Sequence, residues 1–103
     1  MKIFISGPIS GMPDHNRMAF ICAENRLWLQ GHAVMNPVRL QPSNPDAFTH
    51  EDYVHICLAM LDRCDAIYLL KGWQWSTGAC AEYGAALKTG KWIFFEEASH
   101  ESI

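Results

Sequence analysis

The sequence has few charges and no concentration of them. Only 18% of its 103 residues are Asp, Glu, Lys or Arg, and the formal net charge is −3. The eight Lys and Arg residues are scattered, so they form no basic stripe of the kind that neutralises the phosphates of a duplex. The composition therefore argues against duplex nucleic acid as a partner, whereas a small ligand needs no such stripe.

Long apolar runs and paired-cysteine motifs are also missing. No apolar segment reaches the roughly 20 residues of a membrane-spanning helix. The run at residues 3–5 is too short for the core of a signal peptide, and glycine follows it closely. No C-x-x-C pair is present, and His50 and His55 have the wrong helical spacing to share a metal. We expect a cytoplasmic protein without a membrane partner, metal or other cofactor, whose four reduced thiols are mostly buried: Cys22, Cys57, Cys64 and Cys80.

What is present is an alternation of short apolar strands and helical segments. The patterns predict strands at residues 2–6, 33–35, 65–70 and 92–95. They predict helices at residues 14–30, 49–63 and 77–89, a loop at 38–48 and a loose tail at 96–103. In the second helix, Thr49 and Asp52 resemble a capping box. One domain, residues 1–103, accounts for the whole chain.

This order predicts where a ligand would bind. Alternating strands and helices imply a parallel sheet with right-handed crossovers and helices on both faces. The expected fold is a flavodoxin- or Rossmann-like three-layer α/β sandwich of about four strands in the order 2-1-3-4. In such sheets ligands bind where the winding reverses, outside the carboxyl ends of the strands. The loops at residues 6–12 and 71–78 should therefore meet at one crevice.

Both loops have compositions that suit a polar ligand. The first carries two serines and two glycines, which allow close backbone approach to a phosphate or a sugar hydroxyl. An ordinary strand-to-helix turn would have a similar composition. In the second, Ser76 can donate hydrogen bonds or cap the helix, and Gly78 lets a ligand approach. Trp73 and Trp75 could equally stack on a base or cover a dimer face.

Glu82 follows the second loop in a stretch that is otherwise almost wholly small or apolar. It lies too deep in the predicted helix to be a capping-box acid. Its carboxylate faces either the solvent or the crevice, and spacing alone leaves both open.

Three segments, residues 1–11, 64–70 and 76–84, resemble the nucleoside 2-deoxyribosyltransferase superfamily. The best match is its small phage-type branch, a domain of unknown function. The resemblance covers nearly the whole chain, and its most specific part is the block S-x-G-x-x-x-E-x-G that begins at Ser76. It implies that Glu82 is a nucleophile that attacks the anomeric carbon, expels the base and forms a glycosyl ester, which water or a second base then resolves.

The resemblance also implies a substrate and an assembly. Related nucleotide hydrolases have serine at the position of Ser76, where nucleoside transferases have aspartate, so a 5′-monophosphate is favoured, with Gly7 and Ser10 near its phosphate. Homodimers or larger assemblies are expected. The implied substrate contacts are Phe4, Ser6, Gly7, Pro8, Ile9, Ser10, Gly11, Ser76, Gly78 and Ala79.

Two positions depart from the family pattern. Phe4 stands where the family has a tyrosine whose hydroxyl touches the nucleophile. Cys57 stands at the second catalytic position, where the family has an aspartate that contacts the leaving base, and a neutral thiol is a poor acid. Three hypotheses therefore stay open: an N-glycosidic-bond enzyme, a catalytically silent nucleotide-binding module, and an interaction domain whose aromatic residues serve oligomerisation.

Overall fold

A computed structural model describes residues 1–40 and 42–97. Its strands and α-helices are β1 Lys2–Ser6, α1 Arg17–Leu29, β2 Ala33–Met35, α2 His50–Asp62, β3 Ala66–Leu69, α3 Thr77–Lys88 and β4 Trp92–Phe95. The strands pair in parallel in the order β2-β1-β3-β4. The predicted α/β fold and strand order are confirmed.

The sheet lies between two apolar layers because successive strand residues point to opposite faces. One layer joins β1 and β3 to α1 through Ile3, Ile5, Phe20, Ala23, Leu27, Ala66, Tyr68 and Leu70. The other joins them to α2 and α3 through Phe4, Cys57, Leu61, Cys64, Ile67, Leu69 and Ala86. Burial on both faces explains why β3 is apolar throughout. The carboxyl ends of β1 and β3 are thereby held side by side.

The first helix begins later than predicted, at Arg17. Asp14, His15 and Asn16 have left-handed backbones, with φ of 50°, 53° and 58°, which a right-handed α-helix cannot contain. These residue types adopt that conformation more readily than most. The Asn16 side chain donates a hydrogen bond to the carbonyl of Pro8 at 3.0 Å. The chain after β1 thus makes a compact turn, Pro13–Asn16, before α1.

The second helix begins as predicted. The Asp52 N–H donates to the Thr49 hydroxyl at 3.1 Å, and the Thr49 N–H donates to the Asp52 carboxylate at 2.8 Å. This capping box is confirmed. The loop before it contains two short 3₁₀ turns, Pro37–Arg39 and Pro45–Ala47.

Some predicted burial is wrong. Cys57 and Cys64 are buried, but Cys22 and Cys80 are exposed, because each lies on the side of its helix that turns away from the sheet. Leu29, the last residue of α1, is also exposed. No helix of the described ranges is long and apolar enough to cross a membrane.

The predicted loose tail begins with an anchored residue. The Glu96 carboxylate accepts hydrogen bonds from the Arg26 guanidinium at 2.7 Å and from the Lys71 N–H at 2.9 Å. These contacts tie the end of β4 to α1 and to the loop after β3. Residues 98–103 of the predicted tail lie outside the described residues.

Candidate functional site

A cavity of about 810 Å³ opens at the carboxyl ends of β1 and β3. Residues 6–10, which follow β1, form one side, and residues 75–79 at the start of α3 form another. Parts of the segment between β2 and α2 and one face of α2 complete the walls. The expectation that the two loops meet at one crevice is therefore confirmed.

Glu82 lines this cavity from the second turn of α3. The Ser6 hydroxyl, at the end of β1, donates a hydrogen bond to Glu82 Oε1 at 2.5 Å. Ser6 is only 1% exposed, so the bond lies at the floor of the cavity. Of the two orientations that the sequence left open, the structure has the inward one.

Burial changes the acidity of this carboxyl group. Removal from water raises the pKa of Glu82 to about 7, and the hydrogen bond from Ser6 acts in the opposite direction. Near neutral pH the group is therefore divided between its acid and carboxylate forms. A carboxylate with a pKa close to the working pH suits both nucleophilic and acid–base chemistry.

Cys57 also lines the cavity, from α2. Burial, with a smaller contribution from the charge of Glu82, raises the pKa of the Cys57 thiol to about 12. At physiological pH this thiol holds its proton and is neither a useful acid nor a thiolate nucleophile. The structure thus places Cys57 at the cavity, where its neutral thiol is an apolar part of the wall.

Most of the predicted contact residues line the cavity, and two do not. The lining ones are Ser6, Gly7, Pro8, Ile9, Ser10, Ser76, Gly78 and Ala79. Phe4 is fully buried with Cys57 and Leu61 in the layer between the sheet and α2. It precedes Ser6 by two residues on the same face of β1, farther from the cavity. Gly11 is exposed and lies beyond the lining part of the first loop.

Gly7 allows the two central strands to approach at the floor of the site. A Cβ atom at this position would lie 2.9 Å from the Cβ of Leu70, closer than side chains tolerate. A larger residue would push the loop after β1 away from the end of β3. The glycine is therefore explained by packing between the two strands that carry the site.

The start of α3 presents polar groups to the cavity. The Ser76 hydroxyl oxygen caps the helix by accepting a hydrogen bond from the Ala79 N–H at 3.1 Å. The hydroxyl proton can still be donated to a ligand. The N–H groups of Thr77 and Gly78 precede the first helical hydrogen bonds and carry the positive end of the helix dipole.

The two tryptophans before α3 have different environments. Trp73 packs against Tyr83 and Phe95, with ring centroids 4.7 and 5.8 Å away. Trp75 lines the cavity and is 89% exposed. Of the pair considered for base stacking, Trp75 is therefore the one placed at the cavity.

One wall of the cavity was not predicted. It comprises Pro37, Val38, Leu40, Pro42 and Pro45 with His50, Tyr53 and Val54 of α2. The spacing i, i+3, i+4, i+7 that joins His50 to Cys57 could have indicated this helix face. Asp14, His15 and Arg17 also line the cavity, and the Arg17 guanidinium donates to the Val38 carbonyl at 3.0 Å. Arg17 thus ties this wall to α1.

The sequence of this chain matches a family model described as Domain of unknown function (DUF4406) over residues 1–95. The chain belongs to this family. The matched region contains every cavity-lining residue described above. No curated protein matches the sequence.

The site of this DUF4406 protein combines one partly buried carboxyl group, that of Glu82, with hydroxyl and backbone donors. Within residues 1–40 and 42–97, no three His, Cys, Asp or Glu side chains are grouped so as to hold a metal ion. Apolar residues of α2 and of the segment before it line the same cavity as the polar loops. Such a site can accept a ligand with a polar end and a flat apolar end.

Proposed function

We propose that this protein cleaves the N-glycosidic bond of deoxynucleoside 5′-monophosphates, with Glu82 as the nucleophile. The observation that carries the proposal is the position of the Glu82 carboxyl group, which faces the cavity and is bonded to Ser6. The resemblance to the nucleoside 2-deoxyribosyltransferase superfamily, with its glutamate at this position, supports the same chemistry.

The reaction proceeds in two displacements. A carboxylate oxygen of Glu82 attacks C1′ of the sugar, the C1′–N bond breaks, and its electron pair leaves with the base. The negative charge of the carboxylate stabilises the oxocarbenium-like transition state. Water or the N–H form of a second base then attacks C1′ of the glycosyl ester, and the C1′–O bond breaks to return the carboxylate. The proton that the attacking group loses replaces, through solvent, the one that the expelled base takes up. Because Cys57 keeps its proton, we expect slow departure of the base.

The polar groups of the cavity support the proposal that the substrate carries a phosphate. Ser76, the first N–H groups of α3 and Glu82 line the cavity from one helix and its cap, and residues 6–10 line it from the loop after β1. Helix N-termini bind anions through unpaired N–H groups and the helix dipole. A neutral serine at position 76 tolerates a phosphate, whereas an aspartate would repel it.

A second candidate is a nucleotide-binding module without turnover. The neutral Cys57 thiol favours it, because an acid that protonates the leaving base normally contributes about 10²–10⁴-fold to the rate. The same cavity and the same polar groups would bind the nucleotide in that case.

The test compares wild type with Ser76→Asp, using release of free base measured by chromatography. Wild type should release base faster from deoxynucleoside 5′-monophosphates than from deoxynucleosides. In Ser76→Asp, the added negative charge should lower kcat/KM for the monophosphates by about tenfold or more, since a like charge near an anion costs at least about 1.4 kcal/mol. Activity on deoxynucleosides should change much less.

The matched control is Ser76→Asn, which adds a side chain of the same shape without the charge. Both replacements are good N-caps, so α3 should begin normally in each. Equal losses in the two variants would argue against a phosphate at this position. If wild type releases no base but a monophosphate raises its melting temperature, the binding module is the correct function. If neither effect occurs, only the interaction domain remains.

A further inference from the structure

Ser6 makes the direct contact to the Glu82 carboxyl group. Its hydroxyl lies 2.5 Å from Oε1, and the two residues are 76 positions apart in the chain. Ser6 is the last residue of β1 and pairs with Leu69 of β3. Its carbonyl also accepts a hydrogen bond from the Leu70 N–H at 2.8 Å. The hydroxyl is therefore held on the rigid centre of the sheet, where sites are placed more accurately than on loops.

This contact leaves the other carboxylate oxygen, Oε2, for the substrate. A hydrogen bond to the charged form of an acid favours that form. Burial acts in the opposite direction and raises the pKa of Glu82. Without the donor, the carboxyl group would be both freer to rotate and harder to ionise at neutral pH.

Other ionisable groups around the cavity do not take this role. They are Asp14 and His15 from the turn before α1, Arg17 of α1, and His50, Tyr53 and Cys57 of α2. Arg17 donates to the Val38 carbonyl, and Cys57 stays protonated. Within residues 1–40 and 42–97, the hydrogen bond to a Glu82 oxygen comes from Ser6.

We propose that Ser6 is the positioning residue of Glu82: its hydroxyl holds Oε1, favours the ionised carboxylate and turns Oε2 toward C1′ of the substrate. This assignment rests on the proposed function and revises the expectation that Ser6 contacts the substrate. The hydroxyl proton is already donated within the protein, so its task is to prepare the nucleophile.

The test titrates Glu82 in the ligand-free protein by carboxyl-carbon NMR, with the signal assigned by its loss in Glu82→Gln. In Ser6→Ala the titration midpoint should rise by about one to two pH units, the equivalent of one charge-assisted hydrogen bond. Ser6→Thr keeps the hydroxyl and should stay near the wild-type midpoint. Ser43→Ala makes the same change at an exposed serine outside the cavity and should not move it.

A kinetic measurement distinguishes a positioning role of Ser6 from a purely structural role in packing. The pH midpoint of kcat/KM, which like the titration reports the ligand-free enzyme, should rise in Ser6→Ala, with little change in KM. A merely structural role would lower activity at all pH values without moving the midpoint. If Ser6→Ala does not fold, Ser6→Cys provides the same measurement, because its S–H is a weak donor of similar size.

The outcomes distinguish this inference from the function on which it rests. An unchanged Glu82 midpoint in Ser6→Ala overturns the inference, whether or not base is released. A raised midpoint in a protein that releases no base supports the hydrogen-bond role and contradicts the proposed reaction. A raised midpoint together with a shifted pH profile of kcat/KM supports both.

Discussion

Glu82→Gln should lower the rate of base release by a factor of about 10³ or more. Glutamine has nearly the same size as glutamate, and its carbonyl oxygen can still accept the Ser6 hydrogen bond, but it has no anionic oxygen to attack C1′. The cavity and its polar groups remain, so nucleotide binding should persist. The measurement is single-turnover base release by chromatography, with binding followed by calorimetry.

The control for this substitution is Glu51→Gln, which makes the same chemical change in the first turn of α2, outside the cavity. The Glu51 side chain is 83% exposed, so the variant should release base at the wild-type rate. If Glu82→Gln retained most of the activity, Glu82 would not be the nucleophile. If it lost nucleotide binding as well, the loss of turnover would say nothing specific about the chemical step.

Glu82→Gln should also stabilise the fold at neutral and higher pH. The pKa of Glu82 is about 7 in the folded protein against 4.5 for an unperturbed glutamate, so the folded state binds this proton more tightly than the unfolded state. The contribution of Glu82 to the free energy of unfolding is therefore fully present below about pH 4.5, and it is lost as the pH rises through about 7. The loss, which Glu82→Gln avoids, amounts to as much as about 3 kcal/mol.

Urea unfolding at about pH 4 and about pH 8 measures this difference, since other groups titrate alike in both proteins. Wild type and Glu82→Gln should have similar free energies of unfolding at the lower pH, and the variant should be more stable at the higher. If the two proteins differed in free energy of unfolding by the same amount at both pH values, ionisation of Glu82 would not destabilise the folded protein, and the prediction would be wrong. The control Glu51→Gln should not gain this pH-dependent stability, because the Glu51 side chain is 83% exposed and the substitution removes no buried group.

The fold could be predicted from local patterns because most strands and helices have a sequence signal at their ends. The apolar run of β3 marks a strand covered on both faces, and Thr49 with Asp52 marks the start of α2. Alternation of strands and helices then leaves one handedness and one strand order as the simplest arrangement. The meeting of the two loops is a consequence of that order, so it could be predicted without any contact information.

The details of the site depended on contacts that sequence patterns do not encode. The start of α1 was missed because three left-handed residues in a row, Asp14 to Asn16, have no helical breaker among them. The wall between β2 and α2 was missed because an irregular segment has no periodicity to show which way it faces. The bond between Ser6 and Glu82 joins distant elements, and its length depends on how α3 packs on the sheet.

The most direct measurement is to trap the glycosyl ester. A reaction with a deoxynucleoside 5′-monophosphate is quenched in acid within seconds, digested, and examined by peptide mass spectrometry. The peptide that contains Glu82 should carry a deoxyribosyl phosphate group in wild type and none in Glu82→Gln. Base release with that peptide unmodified, or with the sugar attached to a different residue, would contradict the role of Glu82.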